Sequence, residues 1–221
     1  MGEDDPVSLV FDCSDPLVRD DAIEAAARAV GSGQLVVLPT DTVYGLGADA
    51  FDRAAVASVL AAKGRGRDMP VPVLVGSWDT IDGLVNYVPA AVRSLIEAFW
   101  PGGLTLVIAH APSLSWDLGD SRGTVAVRMP LHPVALEVLA KTGPMAVSSA
   151  NRSGQPAALT AQQARDQLGE VVPIYLDGGP AAIGVASTIV DVTREIPRVL
   201  RSGAVGTDAL RAVLPDVEVA G

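Results

Sequence analysis

The chain has 221 residues, 49% of them hydrophobic and 19% charged, enough for one substantial core and too apolar for disorder over most of its length. Sixteen Lys and Arg against 26 Asp and Glu give a net charge of −10, which argues against sequence-independent nucleic-acid binding, because that needs cations to displace counterions. No apolar run approaches the roughly 20 residues of a membrane-spanning helix, and the single cysteine, Cys13, excludes an internal disulfide and a thiolate metal cluster. The opening Met1-Gly2-Glu3-Asp4-Asp5 is acidic where a secretory signal is basic and then apolar, so a cytoplasmic protein without membrane attachment is expected.

In chain order, residues 1–6 are expected to be disordered. Asp20 or Asp21 caps a helix to about Val30, stopped by Gly31, and Leu35–Leu38 forms a buried strand. The strand opens into Pro39-Thr40-Asp41-Thr42-Val43-Tyr44-Gly45-Leu46-Gly47, a polar turn whose two glycines permit positive φ or close approach of a ligand. Asp52 caps the next helix, with Lys63 in its last turn and Gly64 ending it, which leaves Arg65 and Arg67 in the following loop. Val71–Val75 reads as a strand that Pro72 consigns to an edge or an irregular pairing. Pro89 opens a helix through Phe99, and Leu104–Ala109 and Thr124–Arg128 are strands on either side of a loop at 110–123. A short helix over Leu131–Leu139 and a strand at Met145–Ser148 precede Ser149-Ala150-Asn151, and Thr160 with Gln163 makes a capping box. Strands at Val171–Leu176, Ser187–Val192 and Arg198–Arg201 and a helix from Thr207 complete the chain. Helices and strands are interspersed without strict alternation, which predicts an α/β fold, a single domain with a twisted mixed parallel/antiparallel sheet flanked by helices.

Several strand exits carry hydroxyls or cations: Thr40 and Thr42, Arg128, Ser149 and Asn151, Ser187 and Thr188, and Arg201. Brought together by one sheet they make a polar cleft, and Lys63, Arg65 and Arg67, the only dense basic group, mark where an anion belongs. Each has an ordinary alternative: Arg128 pairing with a surface carboxylate, or Ser149 and Asn151 capping a turn. No P-loop and no dinucleotide fingerprint occurs, and His110 and His132 lack ligand spacing to each other. A site rich in Lys, Arg, Thr and Ser but poor in His fits catalysis by orientation and charge stabilisation, without a covalent nucleophile and without a protein-held metal.

The ordered set of Pro39–Gly47, Lys63-Gly64-Arg65, Trp100-Pro101-Gly102-Gly103-Leu104-Thr105, Val127-Arg128-Met129-Pro130, Ser149-Ala150-Asn151, Ser187-Thr188 and Arg198–Gly203 resembles the YrdC-type threonylcarbamoyl-AMP synthases, in their short, single-domain form. The resemblance implies an N-terminal extension over residues 1–17, a catalytic domain over 18–205, and a short helix and tail over 206–221. It implies synthesis of threonylcarbamoyl-AMP and pyrophosphate from L-threonine, bicarbonate and ATP with Mg²⁺, and protein partners that move the product to the tRNA adenosine beside the anticodon; the net charge of −10 adds the expectation of weak or no direct nucleic-acid binding. It places ATP on Lys63, Arg65, Thr124, Asn151 and Arg201, with Lys63 and Arg65 catalytic, and threonine on Thr40, Thr42, Arg128, Ser149 and Ser187. A non-catalytic nucleotide- or RNA-binding module of the same fold is the alternative. The chain departs from the family pattern at Gly66, Met69, Leu74, Ala186 and Ser202, and Leu74 stands where many members carry a histidine that contacts threonine.

Overall fold

The apolar segments lie side by side in one sheet. The computed structural model describes residues 8–85 and 87–219, and among them the strands are β1 (Leu9–Asp12), β2 (Val36–Leu38), β3 (Gly45–Asp49), β4 (Val73–Leu74), β5 (Leu104–Ala109), β6 (Thr124–Arg128), β7 (Met145–Ser149), β8 (Ile174–Asp177), β9 (Thr188–Asp191), β10 (Arg198–Arg201) and β11 (Glu218–Val219). The helices are α1 (Pro16–Gly31), α2 (Arg53–Lys63), α3 (Thr80–Leu84), α4 (Ala90–Phe99), α5 (Pro133–Thr142), α6 (Ala161–Leu168) and α7 (Thr207–Val213). The strand order is β1-β8-β2-β3-β7-β4-β6-β5-β9-β10-β11, with parallel and antiparallel neighbours mixed along it, as the sequence predicts. No helix among the described residues is long and apolar enough to cross a membrane.

The alternation of side chains along each strand sorts the core into two layers. Val36 and Leu38 of β2, Ile174 and Leu176 of β8, and Met145 and Val147 of β7 pack against Ile23 and Ala26 of α1 and Val134 and Val138 of α5. Val37, Leu46, Ala146 and Tyr175 point the other way, to α2, α4, α6 and α7. The first of these faces is covered by α1 and α5 only from β1 as far as β7 and β4. Beyond that, the same face of β6, β5, β9 and β10 is left open, and that gap becomes the cleft.

Helix α1 starts earlier than the sequence suggests. Asp15 accepts the Leu17 N–H at 2.9 Å as its N-cap, Pro16 takes the first helical position, and Asp20 and Asp21 fall on the exposed face. Asp52 caps α2 as predicted, accepting from Ala54 and Ala55, and Gly64 ends it with φ +63°. The segment at Gly45–Asp49 is a strand and not the tail of a loop. A Cβ on Gly45 would lie 2.6 Å from Val147 Cγ1, and one on Gly47 2.9 Å from Val147 Cγ2, so the two glycines serve close strand packing and neither needs positive φ. β4 sits inside the sheet between β7 and β6 rather than at an edge, because Pro72 lies just before the strand and contributes only its carbonyl, to Val147 N–H at 2.8 Å.

Leu9–Asp12 of the expected N-terminal extension pairs with β8, and Glu218–Val219 of the expected tail pairs with β10, so both ends add edge strands to the sheet. The disorder expected for residues 1–6 lies outside the described residues. Gly169–Val171 is a 3₁₀ turn, which delays β8 to Ile174. Thr160 accepts the Gln163 N–H at 3.2 Å, but Gln163 reaches back to Leu159 N–H at 2.8 Å, one residue before the strict box.

Gly203 is the most tightly enclosed glycine among the described residues: a Cβ there would stand 2.2 Å from Ala186 O and 2.7 Å from Ser187 O. Gly203→Ala is expected to destabilise the protein by about 1–3 kcal/mol, the usual range for overpacking, and to displace Ser187. A urea midpoint equal to wild type would show that the 186–187 loop gives way without cost.

Candidate active site

Where the sheet face is uncovered, the strand residues aligned by register line a cleft of about 400 Å³. Leu74 lies beside Arg128, Ala126 beside Val107, and Thr105 beside Ile189, which in turn lies beside Arg201. Pro72, Leu118 and Val147 make an apolar wall, while Thr40, Thr42, Ser149 and Ser187 supply hydroxyls.

Arg128 is the fixed point. It is 6% exposed at the end of β6, and three contacts orient it: Nε donates to Gly102 O at 2.8 Å, Nη1 to Thr42 Oγ1 at 2.7 Å and Nη2 to Asp41 Oδ1 at 2.5 Å. A guanidinium has five N–H groups, so one remains on each terminal nitrogen, the pair that a carboxylate takes in bidentate fashion. Asp41, read from the sequence only as a turn carboxylate, is 5% exposed and forms a buried ion pair with Arg128. Its Oδ1 also accepts the Leu131 N–H at 2.9 Å.

The hydroxyl bookkeeping follows from the turn. Thr40 Oγ1 donates to Val43 O at 2.6 Å, so the 3.1 Å contact between the two threonine hydroxyls has Thr42 as donor. Thr42 therefore spends its proton on Thr40 and one of its two lone pairs on Arg128. Across the cleft Ser187 Oγ meets Thr105 Oγ1 at 2.8 Å, and Thr124 Oγ1 donates to Ser121 O at 2.8 Å.

Two further guanidinium groups line the cleft. Arg65 Nη1 donates to Ser148 Oγ at 3.2 Å, and its Nε is buried with no partner among the described residues. Arg201 donates from Nε and Nη2 to Ser187 O at 3.0 and 2.8 Å, and from Nη2 to Ser187 Oγ at 3.1 Å. Burial holds both below the usual arginine range, and Arg65 pushes Arg201 further in that direction. Among the described residues no Asp or Glu lines the cleft and neither Arg65 nor Arg201 forms an ion pair, although Asp68 acts on Arg65 from outside the lining. A chain of net charge −10 thus carries a cationic pocket.

The structure brings Thr40, Thr42, Arg65, Thr124, Arg128, Ser149, Ser187 and Arg201 to one cleft. It does not bring Lys63 and Asn151 into its lining. Lys63 Nζ, 4% exposed, donates to Ser149 O at 2.5 Å, Asn151 O at 2.8 Å and Asn151 Oδ1 at 3.2 Å, so its donors are taken by the turn after β7. Asn151 Nδ2 donates to Arg152 O and Gln155 O. Arg67, the third member of the basic group, bonds Asp117 at 2.7 Å and lies on the surface. Leu74 and Ala186 line the cleft, whereas Met69 is exposed away from it. Sequence reasoning missed Thr105, Ser148 and Ser121; Thr105 alone carries a signal, as the one polar residue inside the apolar run Leu104–Ala109.

Fold and cleft together define an α/β protein with a carboxylate-ready arginine next to two cations placed for a larger anion. The chain belongs to the Sua5/YciO/YrdC family, whose model, described as "Telomere recombination", matches residues 28–203. It is 64% identical over 205 residues to the putative threonylcarbamoyl-AMP synthase of Mycobacterium leprae, covering 93% of each chain. It is 37% identical over 211 residues to the threonylcarbamoyl-AMP synthase of Bacillus subtilis, covering 94% of this chain and 61% of that one. Among solved structures, Pyrococcus abyssi Sua5 complexed with L-threonine superimposes with a TM-score of 0.89 at 33% identity, covering 97% of this chain and 62% of that one. The chain therefore spans nearly all of the mycobacterial relative and less than two thirds of the other two.

Proposed function

We propose that the chain is a nucleotidyltransferase that makes L-threonylcarbamoyladenylate from L-threonine, bicarbonate and ATP, releasing pyrophosphate and water. The observation that carries this reading is the pairing, in one cleft, of a carboxylate-ready Arg128 with Arg65 and Arg201, which lack carboxylate partners among the described residues. Family membership and the names of the relatives support it.

Arg128 takes the threonine carboxylate, with Thr40, Thr42, Ser149 and Ser187 about the rest of the amino acid. Arg65, Arg201 and Thr124 face the nucleotide, and Lys63 and Asn151 act behind the wall by fixing the turn that presents Ser149. The threonine amine and bicarbonate condense to a carbamate with loss of water. A carbamate oxygen then attacks the α-phosphorus, and the bond to the β-phosphate breaks with its electron pair leaving on pyrophosphate. Both partners are anionic, so the cations lower the barrier by suppressing repulsion, and no side chain has to become a nucleophile. Mg²⁺ is proposed as a passenger of the ATP phosphates: the cleft lining offers hydroxyls and no carboxylate, which does not fit a protein-held cage. The product is a mixed anhydride, and its use in tRNA modification calls for protein partners that hand it to the adenosine, in keeping with a cytoplasmic site and with a net charge that disfavours direct RNA binding.

The test is pyrophosphate release by the purified protein with Mg²⁺-ATP. Release requiring both L-threonine and bicarbonate is expected. Nucleotide binding without release would favour the non-catalytic module instead.

A further inference from the structure

Two buried polar atoms in one corner beneath the cleft lack a partner among the described residues: Asp41 Oδ2 and His132 Nδ1. They belong to neighbouring pieces of chain, since Leu131, directly before His132, donates its N–H to the other oxygen of Asp41 at 2.9 Å. Asp41 thus carries two donors on Oδ1, Leu131 N–H and Arg128 Nη2, and none on Oδ2. At 5% exposure an unpaired carboxylate oxygen has given up its hydration without a replacement, so a nearby donor has a strong advantage.

The ring of His132 lies within the electrostatic reach of that carboxylate, with one edge already committed to packing. A Cβ on Gly178 would stand 2.8 Å from His132 Cε1 and 3.0 Å from Nε2, so the Cε1–Nε2 edge lies flat against a glycine, with no room for a side chain between. His132 occupies the N-cap position of α5 yet makes no side-chain bond to its helix, so nothing on α5 claims Nδ1. The charged groups acting on the ring are Asp41 from the turn after β2 and Arg19 of α1, which is itself paired with Glu137 of α5. Burial, opposed by Asp41 and reinforced by Arg19, holds the imidazole below its ordinary range, so at neutral pH it is uncharged and has one N–H to place.

We propose that His132 is a positioning residue for the carboxylate-binding arginine: in the liganded site its Nδ1–H pairs with Asp41 Oδ2, and the carboxylate, tied through both oxygens, keeps the Arg128 fork aimed into the cleft. A ligand carboxylate takes the two N–H groups that Arg128 has left while Asp41 keeps its own, so the aim of the fork depends on how firmly Asp41 is held. His132 touches no substrate and acts only through Asp41. The inference rests on the function proposed above for the identity of the ligand alone.

The test compares His132→Leu, His132→Asn and His132→Gln. The Asn amide places an N–H near the position of Nδ1, the Gln amide near that of Nε2. In pyrophosphate release, Leu and Gln are expected to raise KM for L-threonine about tenfold or more, the factor for losing a hydrogen bond to a charged group, with KM for ATP within twofold of wild type, and Asn is expected to restore most of the loss. The chain has two histidines, so the His132 nitrogen signals in a ¹⁵N spectrum are assigned by their disappearance in His132→Asn. On adding L-threonine, or acetate as a bare carboxylate, the ring is expected in the Nδ1–H form with its proton shifted downfield. An Nε2–H ring in the presence of either carboxylate overturns the proposal, as does an unchanged threonine KM in His132→Leu, or Asn and Gln behaving alike with both KM values moving together. A wild-type protein that releases no pyrophosphate with threonine would bring down the proposed function, while the ring's response to acetate would still decide this proposal.

Discussion

Arg128→Lys is expected to raise KM for L-threonine a hundredfold or more while KM for ATP stays within a few-fold of wild type. Lysine keeps the charge but replaces a planar fork by a single ammonium, so it cannot bond Gly102 O, Thr42 Oγ1 and Asp41 Oδ1 and still present two parallel N–H groups to a ligand. Removing the cation altogether has a second consequence. Arg128→Met leaves Asp41 buried without its partner, a change that typically costs about 3–5 kcal/mol, so loss of activity there would not separate binding from folding. The double variant Arg128→Met with Asp41→Asn removes both charges, and should recover much of that stability while staying inactive. Urea unfolding and substrate-dependent pyrophosphate release, measured on all three proteins, check this. A threonine KM in Arg128→Lys within a few-fold of wild type would remove Arg128 from the carboxylate site.

The segments whose pattern is local were legible in the sequence, and those that depend on distant partners were not. The runs at Leu104–Ala109 and Thr124–Arg128 and the cap at Asp52 declare themselves by alternation and by the capping residue. β3 does not, because its first three residues are Gly45, Leu46 and Gly47, and glycine reads as a turn until Val147 is seen packed against it. β1 and β11 are short strands paired in parallel with segments far along the chain or held at its end, so no turn signal announces them. In the cleft, the strand exits were legible as hydroxyls and cations, which is why most of the expected site residues meet. The depth of Asp41 was not, since whether a turn carboxylate faces water or a buried arginine is decided by a contact 87 residues away. The direction of Lys63 was equally hidden: one helical position places the residue, and the turn after β7 decides which way its ammonium points.

That direction gives Lys63→Met an outcome that separates two roles. If the ammonium is a clamp, methionine leaves Asn151 O and Asn151 Oδ1 without their buried donor, each at about 1–3 kcal/mol before the turn relaxes, and leaves Ser149 O with only the Asn151 N–H, so stability and both substrate KM values should worsen together, with turnover down at least a hundredfold. A lysine that only met phosphate would leave a stable protein with ATP affinity alone impaired. The pH dependence adds a sign. Burial, with Arg65 nearby, pulls the Lys63 ammonium down to about 8, against about 10.4 for an unfolded lysine. Between those values the unfolded chain binds the proton that the folded chain has released, so this group makes the unfolding free energy rise with pH across the window and withdraws that gain as pH falls back through 8. Over the same window the neutral amine keeps two N–H groups for three acceptors, and the clamp slackens. Wild-type activity is therefore expected to decline above about pH 8 while the urea midpoint holds or rises, and Lys63→Met should show neither trend. Activity and midpoint falling together through that range would mean that some other group governs the alkaline limb.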